Sequence, residues 1–190
     1  MSELKSDKLS PRTASGTVTL GTSGDTFSIP SGVTLTNSGS ATGFGKVLQV
    51  VTATYATQET TTSTTYVDTG LTASITPASS SNKVLVLVSN SVKSGRNFTG
   101  ESSWQADAEF IVKRESTEIY EAPVAGDVGS TTNASSIMLE LPLTITILDS
   151  PSTTSATTYT FAHRTTRTDF DVYSCFGNRT ATITLMEVAG

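Results

Sequence analysis

The sequence predicts an all-β protein: an extended N-terminal β shaft or anchor segment, then an antiparallel, jelly-roll-like β-sandwich, associating as a homotrimer. Ser and Thr, 27 and 36 of 190 residues, make up a third of the chain, while charged residues are 15%. So little Glu, Lys, Arg and Leu leaves few long helix formers, whereas Thr, Val and Ile, stiff at χ1, favour pleated strands. From residue 46 onward apolar and polar side chains alternate in runs separated by Gly, Ser, Thr and Asn, the period of strands with one buried face. Residues 13–45 differ: they hold one ionisable side chain, Asp25, and isolated apolar residues, too few for a core of their own.

The domain division expected is therefore 1–45 and 46–190. After the charged head 1–12, a weak repeat runs through the first segment: Val18-Thr19-Leu20 before Ser23-Gly24, then Val33-Thr34-Leu35 before Ser38-Gly39, offset by 15 residues. Phe27 and Ile29 alternate between them and stop at Pro30-Ser31-Gly32, a strand end because Pro cannot donate to a ladder and Gly tolerates positive φ. Two such units do not make a free-standing solenoid, which needs about three or more. Three chains winding Val18, Leu20, Phe27, Ile29, Val33 and Leu35 around a common axis would supply the cover; a flexible Ser/Gly linker is the competing reading.

In the body, eight strands are expected at 47–54, 71–75, 84–88, 104–112, 137–148, 159–163, 170–176 and 181–188. Trp104, Ala106, Ala108, Phe110 and Val112 fall on one face, opposite Gln105, Asp107 and Glu109. Leu139, Leu141, Leu143, Ile145 and Ile147 form a second inward row, and Ala181, Ile183 and Leu185 a third. One-sided rows belong to antiparallel sheets, and eight of them suggest two sheets face to face. Residues 93–103, 122–133 and 149–157 read as long loops, where recognition usually resides.

Charge and chemistry exclude much. A net charge of −5 and a pI near 4.8 do not suit a nucleic-acid binder. The charged opening and the absence of an 18-residue apolar run predict a soluble, cytoplasmically made protein with no membrane insertion. One Cys and one His permit neither an internal disulfide nor a Cys/His zinc cluster. His163 and Cys175 could pair only as nucleophile and base, but Cys175 sits in an apolar strand and reads as a small buried hydrophobe. Asp107 and Glu109 have a spacing that could resemble a glycosidase carboxylate pair, yet outward strand carboxylates are ordinarily solvated, as are Glu115, Glu118 and Glu121 near an expected hairpin. His163, Arg164 and Arg167 form a small basic spot beside Asp169 and Asp171. The sequons at Asn97, Asn133 and Asn178 arise by chance in so Ser/Thr-rich a chain. No catalytic, cofactor-binding or metal site is expected.

The stretches MSELK (1–5), DKLSPRTASGTVTL (7–20), GDTFSIPSGVTL (24–35) and GFG (43–45) resemble the leader of small virion proteins of marine tailed phages, including cyanophages. LQVV (48–51), ITP (75–77) before SNKVLV (81–86), and ITLMEV (183–188) are similar to the body of the same proteins. The resemblance implies a trimeric tail fibre or virion appendage, anchored to the particle through its first residues, with Leu4, Lys5, Lys8, Leu9 and Arg12 as anchor candidates. It implies as partners its own copies and other virion proteins, a tail adaptor or nozzle or the major capsid protein, and for a projecting domain a host-surface glycan. A capsid decoration (cement) protein is the alternative, and a carbohydrate-binding module or depolymerase tip a third reading.

Overall fold

The computed structural model describes residues 17–19, 22–26, 28–34, 47–97, 103–129 and 136–190, with the backbone alone at 96–97, 103–107, 125–129 and 136–137. The chain divides into two units, Met1–Phe44 and Gly45–Gly190.

Of the three expected glycine turns, those at Gly24 and Gly32 form, and the one at Ser38-Gly39 lies outside the described residues. The Asp25 amide donates to the Thr22 carbonyl at 3.0 Å and that of Val33 to the Pro30 carbonyl at 3.2 Å. Gly24 (φ 96°) and Gly32 (φ 85°) occupy the third turn position, where a type II turn requires positive φ. The Asp25 carboxylate returns to the Thr22 amide at 2.7 Å. Val18, Ile29 and Val33 are exposed, and the described residues of this unit form no β ladder. Leu20, Phe27 and Leu35, and the anchor candidates Leu4, Lys5, Lys8, Leu9 and Arg12, lie outside the described residues.

The second unit is all β. Its strands are β1 (Val47–Tyr55), β2 (Glu59–Thr61), β3 (Val67–Ile75), β4 (Lys83–Asn97), β5 (Ser103–Arg114), β6 (Thr117–Gly129), β7 (Ser136–Asp149), β8 (Thr157–Thr165), β9 (Asp171–Ser174) and β10 (Ala181–Val188), with one 3-10 turn at Phe176–Asn178. One sheet joins β1, β10, β4, β9 and β2, with β7 on the other edge of β4; the second runs β3-β8-β5-β6. All pairings are antiparallel.

Ten strands occupy eight strand positions. β10 and then β9 follow the same edge of β4, and β1 and β2 follow β10 and β9 in turn. Each of these pairs is thus one strand interrupted once: β1/β2 at 56–58, and β9/β10 by the excursion in which Cys175 (φ 51°), Gly177 (φ 69°) and Asn178 (φ 57°) turn left-handed. Counted by position, first pairs with last, second with seventh, third with sixth, and fourth with fifth. That nested pairing, folded into two sheets, is jelly-roll connectivity.

The structure corrects several sequence boundaries. Residues 122–129 are not loop but the second half of β6, and 93–97 extend β4. The expected strand 170–176 ends at Ser174, and β2 lies in a Thr-rich stretch read as connection. The expected 5-6 hairpin is present, closed by Glu115 (φ 52°) and Ser116.

The core lies between the sheets. Val84, Val86 and Val88 from β4, Phe110 and Val112 from β5, Tyr159 and Phe161 from β8, and Ile183 and Leu185 from β10 are fully buried. Phe110 and Phe161 stack at 5.7 Å, an offset packing aromatic rings favour. In the row on β7 only Ile145 is fully buried, while Leu141 is 36% exposed and Leu139, Leu143 and Ile147 are half-buried. β7 is an edge strand, and an edge strand has a neighbour on one side only.

Candidate functional site

Apart from the two interruptions, at Tyr55/Glu59 and Ser174/Ala181, the registers place the strand ends at one of two poles. Val47, Val188, Lys83, Ile75, Asp149, Thr157 and the 5-6 hairpin share one pole. Thr61, Val67, Asn97, Gly129, Ser136 and Thr165 share the other. Each pole has a polar interlock.

At the Val47 pole Arg114 Nη1 donates to both carboxylate oxygens of Asp149, at 2.7 and 2.8 Å, and Tyr159 Oη donates to Asp149 Oδ2 at 2.7 Å. Since Arg114 and Tyr159 belong to one sheet and Asp149 to the other, this pair clamps the sandwich; burial and the neighbouring carboxylate push the Tyr159 hydroxyl well above its ordinary pKa. Nearby the buried Glu187 accepts from Gln49 Nε2 at 2.6 Å, the Ala78 amide at 2.7 Å and Asn82 Nδ2 at 2.5 Å. Burial alone would raise its pKa, but these donors outweigh it and hold the carboxyl below its usual range. Asn82 Oδ1 in turn accepts from the Gly190 amide at 3.1 Å, so one carboxylate organises the loop 76–82 and the chain end.

At the far pole Ser174 Oγ and His163 Nδ1 lie 3.0 Å apart and bridge the two sheets. A serine beside a histidine is the grouping of an activated nucleophile, but Ser174 is 0% and His163 1% exposed, sealed from any substrate. Burial pushes His163 down from 6.5 to about 4, against the opposing charge of Glu59. His163 is therefore neutral at pH 7 and is not part of the surface basic spot to which the sequence assigned it. Glu59 accepts from Tyr55 Oη at 2.6 Å and the Gly70 amide at 3.0 Å. Cys175 is buried, its thiol raised by desolvation and placed 3.5 Å from the Tyr55 carbonyl, the inert state of a cysteine.

The remaining sequence candidates are engaged on the surface. Glu109 pairs with Arg164, whose Nε donates to Oε2 at 2.5 Å, and the Arg164 guanidinium lies 4.3 Å from the Tyr66 ring. Tyr66 Oη donates to Glu121 Oε1 at 2.9 Å. Glu109 thus has Arg164 as its close partner; the side chain of Asp107, its neighbour on the strand face, lies outside the described residues. Glu115 Oε1 accepts from the Thr158 amide at 2.6 Å, Asn178 Oδ1 from the Gln58 amide at 3.0 Å, and Arg167 Nε lies 3.5 Å from Asp169. Sequence reasoning missed Lys93, 8% exposed, with Nζ 4.2 Å from the Phe176 ring and 5.0 Å from Tyr173; a lysine facing two aromatics across a register pair has no signature in a linear pattern. Among the described residues no three His, Cys, Asp or Glu side chains gather as metal ligands, and no helix is long and apolar enough to cross a membrane.

No protein-family model and no curated protein matches the chain. Among solved structures, the crystal structure of the infectious bursal disease virus VP2 subviral particle is similar over 75% of this chain and 37% of that one, at 15% identity and a TM-score of 0.32. The chain thus spans little more than a third of that protein's length.

Proposed function

We propose that this protein is a structural component of a bacteriophage particle: a trimeric tail fibre or tail appendage, with residues 1–45 as particle anchor and short shaft and the sandwich as its projecting domain. The observation that carries the reading is the resemblance of 1–45 to the leader of marine-phage virion proteins. The use of polar groups in the body is consistent with it. Glu187, Asp149, His163 and Glu109 all serve as interlocks within or between sheets, the chemistry of a rigid building block. A closed symmetric trimer would also cover the exposed Val18, Ile29 and Val33.

Deleting residues 1–12 tests the anchor. The purified variant should keep the oligomeric mass of the full chain and fail to enter particles; normal incorporation overturns the assignment. Density on intact virions separates the tail from a cement protein on the shell. Glycan-array binding by the full chain would add host recognition, and release of reducing sugar would favour the depolymerase reading instead.

A further inference from the structure

We infer that the outer face of the β7-β4-β10-β1 sheet, at the pole of Val47 and Val188, packs against sister copies of this chain. The inference rests on the trimeric reading and names the surface that holds the trimer together.

β4 opens Val84-Leu85-Val86-Leu87-Val88, apolar at both parities. Val84, Val86 and Val88 point inward and are buried, so Leu85 and Leu87 point out. A strand of a one-sided sheet alternates, and an unbroken apolar run belongs to a strand covered on both faces. The registers extend the pattern: Leu148 lies opposite Leu85, Leu85 opposite Met186, and Met186 opposite Val50, one apolar row across four strands. Val188 and Val47 continue it toward the pole. Val47, Leu48, Val50 and Leu148 are 51%, 52%, 55% and 54% exposed.

The other sheet shows that this is not a general shortage of polar residues. Its outer face pairs hydroxyls, Thr72 with Thr160 at 3.2 Å and Ser74 with Thr158 at 2.8 Å, and carries the Lys113–Asp68 and Arg164–Glu109 ion pairs. On the apolar face, among the described residues of these rows, Lys83 alone is charged and it stands at the rim. An apolar centre depleted of charge within a polar rim is interface anatomy. Eight adjacent apolar side chains reach the scale of several hundred Å² at which exposed patches mark association sites. With the flanking Thr52, Thr146 and Thr184 the surface approaches the roughly 800 Å² per partner of a stable interface.

The occupant is a sister copy: the trimeric reading supplies it, and its own uncharged apolar face is of the size a stable interface between copies buries.

The test is the mass of the full-length protein by light scattering, with V50K/L148K as the disrupting variant and T72K/T160K, on the opposite sheet, as control. Wild type and control should give about three times 19.8 kDa, and V50K/L148K a threefold lower mass with unchanged far-UV circular dichroism. V50T/L148T, which retains β-forming residues, guards against misfolding and should weaken association at least tenfold. Trimers that persist in both apolar-face variants overturn the surface assignment and leave the trimer standing. A monomeric wild type overturns both, and particle incorporation remains a separate readout of the virion assignment.

Discussion

His163 gives the sandwich a pH dependence on the acid side of neutrality. Its folded pKa of about 4 lies below the unfolded value of 6.5, so the unfolded state binds the proton more readily between these values. Stability from this group is complete above pH 6.5 and falls as pH drops toward 4, by about 3 kcal/mol. Urea unfolding at pH 7.5 and 4.5 should show that loss, and H163Q should reduce it. Glu187 acts at lower pH: with its pKa depressed in the folded state, its contribution is present above the ordinary carboxylate pKa and is lost as pH falls through the lowered one. Two serines make a paired comparison. Ser174 Oγ is the partner of buried His163, whereas Ser94 Oγ is buried with no hydrogen bond among the described residues. S174A should cost about 1–3 kcal/mol by orphaning a buried ring nitrogen, and S94A should be neutral or stabilising. A chemical-denaturation series ranks the two, and the reverse order would show that the His163 bridge adds nothing.

Elements were legible where burial is one-sided. β3 and β10 alternate because each has one face on the core, and Ala181, Ile183 and Leu185 are buried as the alternation requires. β6 escaped because Pro123, Gly126 and Gly129 interrupt it; Pro at an edge breaks no ladder when its nitrogen faces away from the neighbour, and β6 is an edge strand. β2 escaped because three residues, Glu-Thr-Thr, hold no apolar period; only their pairing with β9 defines them. Gly70 marks a similar long-range decision. A Cβ there would lie 2.3 Å from the Tyr55 ring, so the glycine in β3 makes room for the aromatic residue that ends β1. G70A should displace that ring, break its bond to Glu59 and cost about 1–3 kcal/mol; an unchanged melting temperature would show that Tyr55 relocates freely.

At the scale of the molecule, the core residues among those described all lie from residue 51 onward. A chain beginning at Gly45 should therefore keep its strand signal and a cooperative thermal transition by circular dichroism; a collapsed signal would make the leader part of the body's fold. All-β character, two sheets and most core residues follow from the sequence, because β-propensity and period-two alternation are local properties written residue by residue. The sites were less legible. His163 was grouped with Arg164 by adjacency, yet successive strand residues face opposite ways, one into the core and one toward Glu109. The clamp of Asp149 with Arg114 and Tyr159, the bridge of Ser174 to His163, and the alignment of Leu148, Leu85, Met186 and Val50 join residues from distant parts of the chain. Only strand register brings such residues together, and register is set by the nested pairing of the whole jelly roll.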